Sequence, residues 1–303
     1  MNDRRSLEEA LAGFGMDTIT LAGPLAAKLA AMKDAGFHQV MLKANDLVGH
    51  PGGWRAAIQE VRASGLRGTG FQVLRDFEGL SGHLHQYKLD IAKTMLQMCA
   101  ALGCDVLLAC SSTSAHASQD VEQMARDLRK LAMLALPYGI RIAYEGLSWG
   151  RTINEYTTAW DIVRRADCPN LGIGLDSFHI FAAGTSLDGI GELDPQKIFL
   201  VQLSDFLWQE TRTFEERIAT ARTYRVFPGE GVHTERLVDL VVRLETIGYA
   251  GDYSFEVFND DYLQMPLSMV AQRASRSALW LAQDVLRRSL PLPNQLTLRV
   301  LPE

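Results

Sequence analysis

The sequence predicts an α/β protein with the architecture of a single (β/α)8 barrel (TIM barrel). Eight short runs of β-branched and apolar residues alternate along the 303-residue chain with longer amphipathic stretches, which is the rhythm of a parallel sheet whose strands are joined by helices. Glycine closes several amphipathic stretches just before the next strand, as at Gly36, Gly65 and Gly248, the usual position of a helix C-terminal glycine. No glycine-rich phosphate-binding motif follows a strand. Eight strands in this order therefore favour a closed barrel over an open dinucleotide-binding sheet.

The predicted elements follow one another regularly. The strands are expected at Thr18 to Leu21, Gln39 to Leu42, Gly68 to Val73, Val106 to Cys110, Arg141 to Glu145, Leu171 to Asp176, Ile198 to Leu203 and Tyr253 to Val257. The helices are expected at Pro24 to Ala35, Trp54 to Ser64, Leu84 to Leu102, Gln119 to Leu136, Tyr156 to Ala166, Thr234 to Ile247 and Leu267 to Leu286. Between the sixth and seventh strands the pattern allows only a short element, near Leu187 to Leu193.

One connection is unusually long. From Ser204 to His233 the chain runs for about thirty residues after the seventh strand without a clear strand of its own. Loops of this length inside a compact domain usually have a function. We predict a functional segment here, for instance a lid.

Composition limits the class of protein. Hydrophobic residues make up 47% of the chain and charged residues 22%, which excludes a disordered or fibrous protein. Residues 1–290 are predicted to form one domain, followed by a proline-containing tail at 291–303 that packs across the barrel bottom or frays. The net charge of −6 disfavours nucleic acid and anionic membranes as partners.

The four cysteines show no disulfide or metal-binding spacing, and we expect them to be reduced. The first residues, Met1 to Leu11, are charged and lack an apolar signal core, and no apolar run approaches the roughly 20 residues of a membrane span. A cytoplasmic protein is therefore expected.

Polar residues stand at the ends of the last four predicted strands, in otherwise apolar runs: Glu145, Asp176, Gln202 and Glu256, spaced by 31, 26 and 54 residues. Because catalytic groups of such barrels project from the carboxyl ends of the strands, we expect these four side chains to converge. Carboxylates that close cannot all stay ionised without a cation. An all-oxygen set suits one divalent metal ion, Mg²⁺ or Mn²⁺, with Co²⁺ as a further candidate and structural Zn²⁺ disfavoured. The alternative is that each residue is merely hydrogen-bonded at a strand end or paired with an arginine.

Three further positions face the same predicted mouth. His179 follows Asp176 by three residues, which places an imidazole where it can take a proton from a polarised substrate. Arg75 follows the third strand and is a candidate both for catalysis and for gripping a substrate carboxylate, the alternative being an ion pair with Asp76 or Glu78. Ser111 follows the fourth strand and is a candidate for binding a substrate hydroxyl.

The long segment carries several arginines, Arg212, Arg217, Arg222 and Arg225. Most of that charge is expected on a solvated helix face, with one arginine reaching inward. Arg225 leads back to the barrel through Val226-Phe227-Pro228-Gly229 and is the candidate for a second contact to a substrate carboxylate.

Several of these motifs resemble one family. Phe71-Gln-Val-Leu-Arg-Asp-Phe-Glu-Gly79, Leu175-Asp-Ser-Phe-His179, Val201-Gln-Leu-Ser-Asp205 and Arg225-Val-Phe-Pro-Gly-Glu-Gly231 are similar to segments of the xylose isomerase-like barrels and, within them, of the bacterial 3-dehydroshikimate dehydratases. The resemblance runs from about Thr18 to Leu286. It implies that Glu145, Asp176, Gln202 and Glu256 bind a divalent metal and that His179 serves in acid/base chemistry. In place of the two glutamates typical of strand two in those enzymes, this chain has Met41 and Ala44, with Lys43 between them, so a lysine is expected to enter the pocket.

The resemblance implies a metal-dependent lyase that dehydrates 3-dehydroshikimate to protocatechuate. Arg75, helped by Arg225, would hold the substrate carboxylate. Isomerisation or epimerisation of a keto sugar or inositol derivative at the same site is the alternative. A three-zinc repair endonuclease is disfavoured by seven scattered histidines and a charge of −6, and a non-enzymatic sugar-binding barrel is the remaining hypothesis. Association into a homo-oligomer is expected by analogy only.

Overall fold

In the computed structural model, which describes residues 11–287, eight parallel strands close into a barrel. These strands are β1 (Phe14–Asp17), β2 (Gln39–Lys43), β3 (Arg67–Arg75), β4 (Val106–Cys110), β5 (Arg141–Glu145), β6 (Leu171–Asp176), β7 (Ile198–Leu203) and β10 (Tyr253–Phe255). Each pairs with its neighbours along the chain, and β1 pairs with β10 to close the ring. The predicted fold class is confirmed.

Helices surround the barrel and connect its strands. They are α1 (Leu25–Asp34), α2 (Ala44–Val48), α3 (Trp54–Ser64), α4 (Gly82–Leu102), α5 (Val121–Ala135), α6 (Tyr156–Ala166), α7 (Ser177–Ala183), α8 (Phe214–Thr223), α9 (Thr234–Thr246), α10 (Asp260–Leu263) and α11 (Leu267–Trp280), which continues as a π-helical turn, Leu281–Val285. Between α7 and β7 the chain forms only short 3-10 turns. Among residues 11–287 no helix has the length and apolar character needed to cross a bilayer. The predicted tail, 291–303, lies outside the described residues.

The predicted first strand was wrong in its position. The strand is Phe14–Asp17, and the predicted residues Thr18–Thr20 form a 3-10 turn directly after it. The turn is fixed by the Thr18 hydroxyl, which accepts a hydrogen bond from the backbone N–H of Lys43 at 3.0 Å. Phe14 and Met16 are fully buried, so the burial of two large side chains outweighs the β-propensity of the threonine-rich run that follows.

The long segment after β7 has secondary structure of its own, contrary to the expectation of a connection without strands. Two short strands, β8 (Asp205–Phe206) and β9 (Arg225–Val226), pair antiparallel, and helix α8 lies between them. The helix begins with a capping box in which Thr213 and Glu216 exchange side-chain and backbone hydrogen bonds. Arg217 of this helix donates a 2.8 Å hydrogen bond to the carbonyl oxygen of Ser148, so the segment is tied to the rim of the barrel.

Candidate active site at the carboxyl ends of the strands

The strand period of two places the predicted ligands inside the barrel. Ala143 and Leu200 belong to the apolar cluster that fills the barrel interior. Because alternate residues share a face, Glu145 in β5 and Gln202 in β7 also face inward, one layer nearer the carboxyl ends. Gln202 stands in register with Asp176 of β6 on one side and Ser254 of β10 on the other.

The structure brings the predicted acids together. Glu145, Asp176 and His179 each offer a ligand atom within 4.8 Å of the others, and all three are buried. Burial, followed by repulsion from Asp176 and Glu256, raises the pKa of Glu145 well above its ordinary value. Burial also raises the pKa of Glu256 to about 7, although Arg225 opposes the shift. The raised pKa values indicate that nearby positive charge does not fully neutralise the carboxylates of this cluster.

Two oxygens of this cluster have no hydrogen-bond partner among the described residues. They are Oε1 of Glu145 and Oε1 of Gln202, both fully buried. The other carboxylate oxygen of Glu145 accepts a hydrogen bond from the Cys110 thiol at 3.0 Å. Buried polar atoms are almost always paired, and an orphan of this kind is commonly explained by an ion or water.

Arg225 is the inward-reaching arginine, but it pairs with the acids. Its Nη1 donates to Oδ2 of Asp176 at 2.7 Å and to Oε2 of Glu256 at 3.1 Å, and its guanidinium lies over the Phe178 ring at 4.3 Å. Burial opposes the charge of Arg225, but the two carboxylates raise its pKa above the ordinary value. The arginine-pairing alternative thus holds for two of the four predicted ligands, whereas Glu145 and Gln202 form no hydrogen bond with an arginine of the described residues.

His179 lies beside Asp176, and each of its ring nitrogens has a polar neighbour. Its Nε2 is 3.6 Å from Oδ2 of Asp176, and its Nδ1 accepts a hydrogen bond from the backbone N–H of Ser148 at 3.1 Å. The Ser148 hydroxyl is also 3.1 Å from Nδ1, and Trp149 packs edge-on against the ring at 4.9 Å. Burial lowers the pKa of His179 to about 3.

A cavity of about 540 Å³ opens above the acids. Its wall includes Lys43, Arg75 and Arg222, none of which has a side-chain hydrogen bond or ion pair with residues 11–287. Burial, together with the charges of Lys28 and Arg75, lowers the pKa of Lys43 even though Asp46 opposes the shift. Lys43 therefore lines the pocket, as expected from the comparison of its strand with the family motif.

The alternative ion pairs proposed for Arg75 do not form. Asp76 accepts a hydrogen bond from the backbone N–H of Thr113 at 2.8 Å, and Glu78 accepts from the backbone N–H of Ser112 and from the Tyr144 hydroxyl. The guanidinium of Arg75 is left to the cavity.

The structure does not bring Ser111 to the cavity wall. Its hydroxyl accepts a hydrogen bond from the backbone N–H of Leu147 at 3.0 Å, and the side chain is 1% exposed. Ser111 fixes the chain after β5, so its predicted contact with a substrate hydroxyl has no support in this geometry.

Sequence reasoning missed Asp17 and Ser148. Asp17 ends β1 and is completely buried beneath the acids. Had the first strand been placed correctly, the rule that selected Glu145, a polar residue closing an apolar strand, would have selected Asp17 as well. Ser148 carries no such signal, because it lies in the turn after β5 and acts through His179.

A closed (β/α)8 barrel with buried acids and basic side chains around a cavity at the carboxyl ends of its strands has the active-site placement of TIM-barrel enzymes. Residues 29–283 match the family described as xylose isomerase-like TIM barrel. The chain belongs to this family.

The chain is also similar to individual proteins of known name or structure. The chain is 37% identical to a 3-dehydroshikimate dehydratase of Pseudomonas aeruginosa over 277 residues, 90% of this chain and 43% of that protein. It is 28% identical to an inosose isomerase of Bacillus subtilis over 194 residues, 62% of this chain and 66% of that one. A solved xylose isomerase-like TIM barrel/4-hydroxyphenylpyruvate dioxygenase fusion protein matches with a TM-score of 0.84 at 34% identity, covering 96% of this chain and 45% of that one. The chain thus spans less than half the length of the Pseudomonas relative.

Proposed function

We propose that the protein is a divalent-metal-dependent lyase that dehydrates 3-dehydroshikimate to protocatechuate. The observation that carries the proposal is the pairing of a buried oxygen cluster, Glu145, Asp176, Gln202 and Glu256, with a cavity lined by unpaired cations. The 37% identity to a 3-dehydroshikimate dehydratase over 90% of the chain supports the choice of substrate.

The donor set fits a divalent cation. Three carboxylates share the site with the guanidinium of Arg225, and the Oε1 atoms of Glu145 and Gln202 are buried without a partner in the described part of the chain. Glu145, Asp176, Gln202 and Glu256 would hold Mg²⁺ or Mn²⁺, with Co²⁺ as a further candidate, because all four offer oxygen ligands. When bound, the cation polarises the substrate ketone and makes the neighbouring C–H bond more acidic.

Cations on the opposite side of the cavity would hold the substrate carboxylate. The Arg75 side chain has no hydrogen bond or ion pair within residues 11–287, and its planar guanidinium matches a carboxylate with two parallel hydrogen bonds. Lys43 and Arg222 add positive charge to the lining of the same cavity. Arg225, by contrast, is committed to Asp176 and Glu256, so we propose that it balances charge among the acids and leaves the carboxylate to Arg75.

His179 would transfer the proton. In the resting arrangement the N–H of Ser148 donates to Nδ1, so a neutral ring carries its proton on Nε2. Accepting a proton at Nε2 requires the tautomer with the proton on Nδ1, and the Ser148 hydroxyl, 3.1 Å away, is an acceptor for that proton.

The atoms balance over the reaction. The C–H bond beside the ketone breaks and its proton goes to Nε2, while the electron pair stays on the substrate. The C–O bond of the next carbon then breaks, and the leaving hydroxyl takes the proton held at Nε2 and departs as water. A proton shift within the ring gives the aromatic product, so one water is lost overall.

A direct assay tests the proposal. Protein treated with a chelator and then supplied with Mn²⁺ or Mg²⁺ is incubated with 3-dehydroshikimate, and the ultraviolet absorbance of an aromatic product is followed. We expect product with metal and none after chelation. Folded, metal-loaded protein that forms no aromatic product would overturn the proposal.

Isomerisation of an inosose is the second candidate, favoured by the 28% identity to an inosose isomerase. It loses no water and needs no carboxylate anchor, which leaves the unpaired Arg75 without a role. The same preparation incubated with an inosose, with the products separated by chromatography, distinguishes the two reactions.

A further inference from the structure

Asp17 lies at the centre of a hydrogen-bond network beneath the acid cluster. Its Oδ2 accepts from Nε2 of Gln202 at 2.7 Å and from Nε2 of Gln72 at 3.0 Å, and its Oδ1 accepts from the Ser254 hydroxyl at 2.5 Å. These partners come from β7, β3 and β10, and Asp17 itself is completely buried in β1. Four strands thus meet at one carboxylate.

The hydrogen bonds of Gln202 determine the positions of its amide nitrogen and its amide oxygen. The amide nitrogen of glutamine only donates and its oxygen only accepts, and the carboxylate oxygen of Asp17 accepts from that nitrogen. The sulfur of Met41, 3.9 Å from Nε2, receives the second amide hydrogen. Both hydrogens of the amide are therefore placed, and Oε1 is the atom left without a partner.

The two orientations of this amide have nearly the same shape, so packing does not choose between them. Only the hydrogen-bond partners do. With the amide reversed, the NH₂ group would take the place of Oε1 on the strand next to Asp176, and a cation held there would lose one ligand and meet the positive end of the amide dipole.

We propose that Asp17 is a positioning residue that holds Gln202 so that its amide oxygen is presented to the divalent cation. The inference rests on the proposed function, because it needs a cation among the acids. Outer partners that orient metal ligands typically change metal affinity by about 10–100-fold when removed.

The test is a double-mutant cycle read out by Mn²⁺ affinity, measured by calorimetry on chelator-treated protein. Asp17→Ala in the unsubstituted background should weaken Mn²⁺ binding by about 10-fold or more. In a Gln202→Ala background the same substitution should weaken it by less than about threefold, because no amide is left to orient. Equal losses in the two backgrounds would show a merely structural role and overturn the proposal.

Two further variants separate hydrogen bonding from charge and from packing. Asp17→Asn keeps an oxygen for Gln202 and Gln72 and turns its NH₂ toward Ser254, so Mn²⁺ affinity should stay within about threefold. A loss equal to that of Asp17→Ala would mean that the charge of Asp17 matters and not its hydrogen bond, contradicting the proposal. Ser254→Ala removes a bond to the same carboxylate without touching Gln202 and should leave Mn²⁺ affinity unchanged.

The outcomes remain informative if folding or metal binding fails. Where thermal unfolding shows that Asp17→Ala does not fold, Asp17→Ser replaces it in the cycle, because its hydroxyl ends one atom short of the carboxylate oxygens. If the unsubstituted protein binds no Mn²⁺, the proposed function and this inference fail together. If it binds Mn²⁺ and Asp17→Ala binds equally well, only this inference fails.

Discussion

The two sides of the cavity carry opposite charge. Strand β5 and the chain after β10 contribute Glu145 and Glu256 to the lining, with Asp176 of β6 buried beside Glu145, whereas β2 and β3 contribute Lys43 and Arg75. Glu145 and Glu256 are buried and crowded, so their pKa values rise. The cations have no protein partner among residues 11–287. This division fits the proposed function, in which a cation is held among the acids and the substrate has a reacting polar end and a separate negative group.

Removing an acid from the anionic side should have the largest effect. Glu145→Ala or Glu256→Ala is expected to lose bound metal and to lower kcat by more than about 1,000-fold, because the cation no longer finds its oxygen ligands. Metal content by atomic absorption and turnover check this. Metal retained at full stoichiometry in Glu256→Ala would contradict the assignment of that ligand.

His179→Ala should lower kcat by about 100- to 10,000-fold while leaving metal content unchanged, because it removes proton transfer and no ligand. Turnover and metal content check this, and loss of metal in this variant would contradict it.

Ser148→Ala tests which nitrogen of His179 accepts the proton, since it keeps the backbone N–H to Nδ1 and removes only the hydroxyl. If His179 accepts a proton at Nε2, Ser148→Ala should lower kcat about 10-fold at constant KM. An unchanged kcat would favour the tautomer fixed by the N–H alone.

The crowded acids should make the metal-free protein sensitive to pH. The pKa of Glu256 in the folded protein is raised to about 7, above its unfolded value. Protonated Glu256 therefore contributes fully to the free energy of unfolding below about pH 4.5, and this contribution is lost as pH rises through about 7. The loss is on the order of 3 kcal/mol in the free energy of unfolding. Thermal unfolding of chelated protein at several pH values measures it. Saturating Mn²⁺ should remove the trend, and a stability that rises with pH in the chelated protein would contradict this account.

On the cationic side the effects should be smaller and confined to substrate binding. Arg75→Ala is expected to raise KM for 3-dehydroshikimate by about 10- to 100-fold, because one bidentate contact is lost, and Lys43→Ala by about 3- to 10-fold, because a single point charge is lost. Arg212→Ala is the matched control, since Arg212 pairs with Glu210 and is 81% exposed away from the cavity. Equal KM values for Arg75→Ala and the control would mean that Arg75 does not hold the substrate.

Part of the site could be predicted from the sequence. The acids and His179 were identifiable because a polar residue at the end of an apolar strand is a local pattern, and strands of one barrel all end at the same rim. Their convergence follows from the fold class alone. The local pattern does not identify Asp17, because β-propensity predicts the first strand at the threonine-rich run that follows it, whereas burial selects Phe14–Asp17.

Strand periodicity, glycine punctuation and strand-end polar residues were sufficient to determine a (β/α)8 barrel and the rim that carries the acids, since those features depend on neighbours a few positions apart. Partner choice was decided only by the folded chain. Whether Arg225 meets acids or substrate, whether Ser111 faces the cavity, and which end of Gln202 points away from Asp17 all depend on contacts between strands and loops far apart in sequence. Hydrogen bonds and ion pairs act over a few ångströms, so no spacing along the chain specifies them.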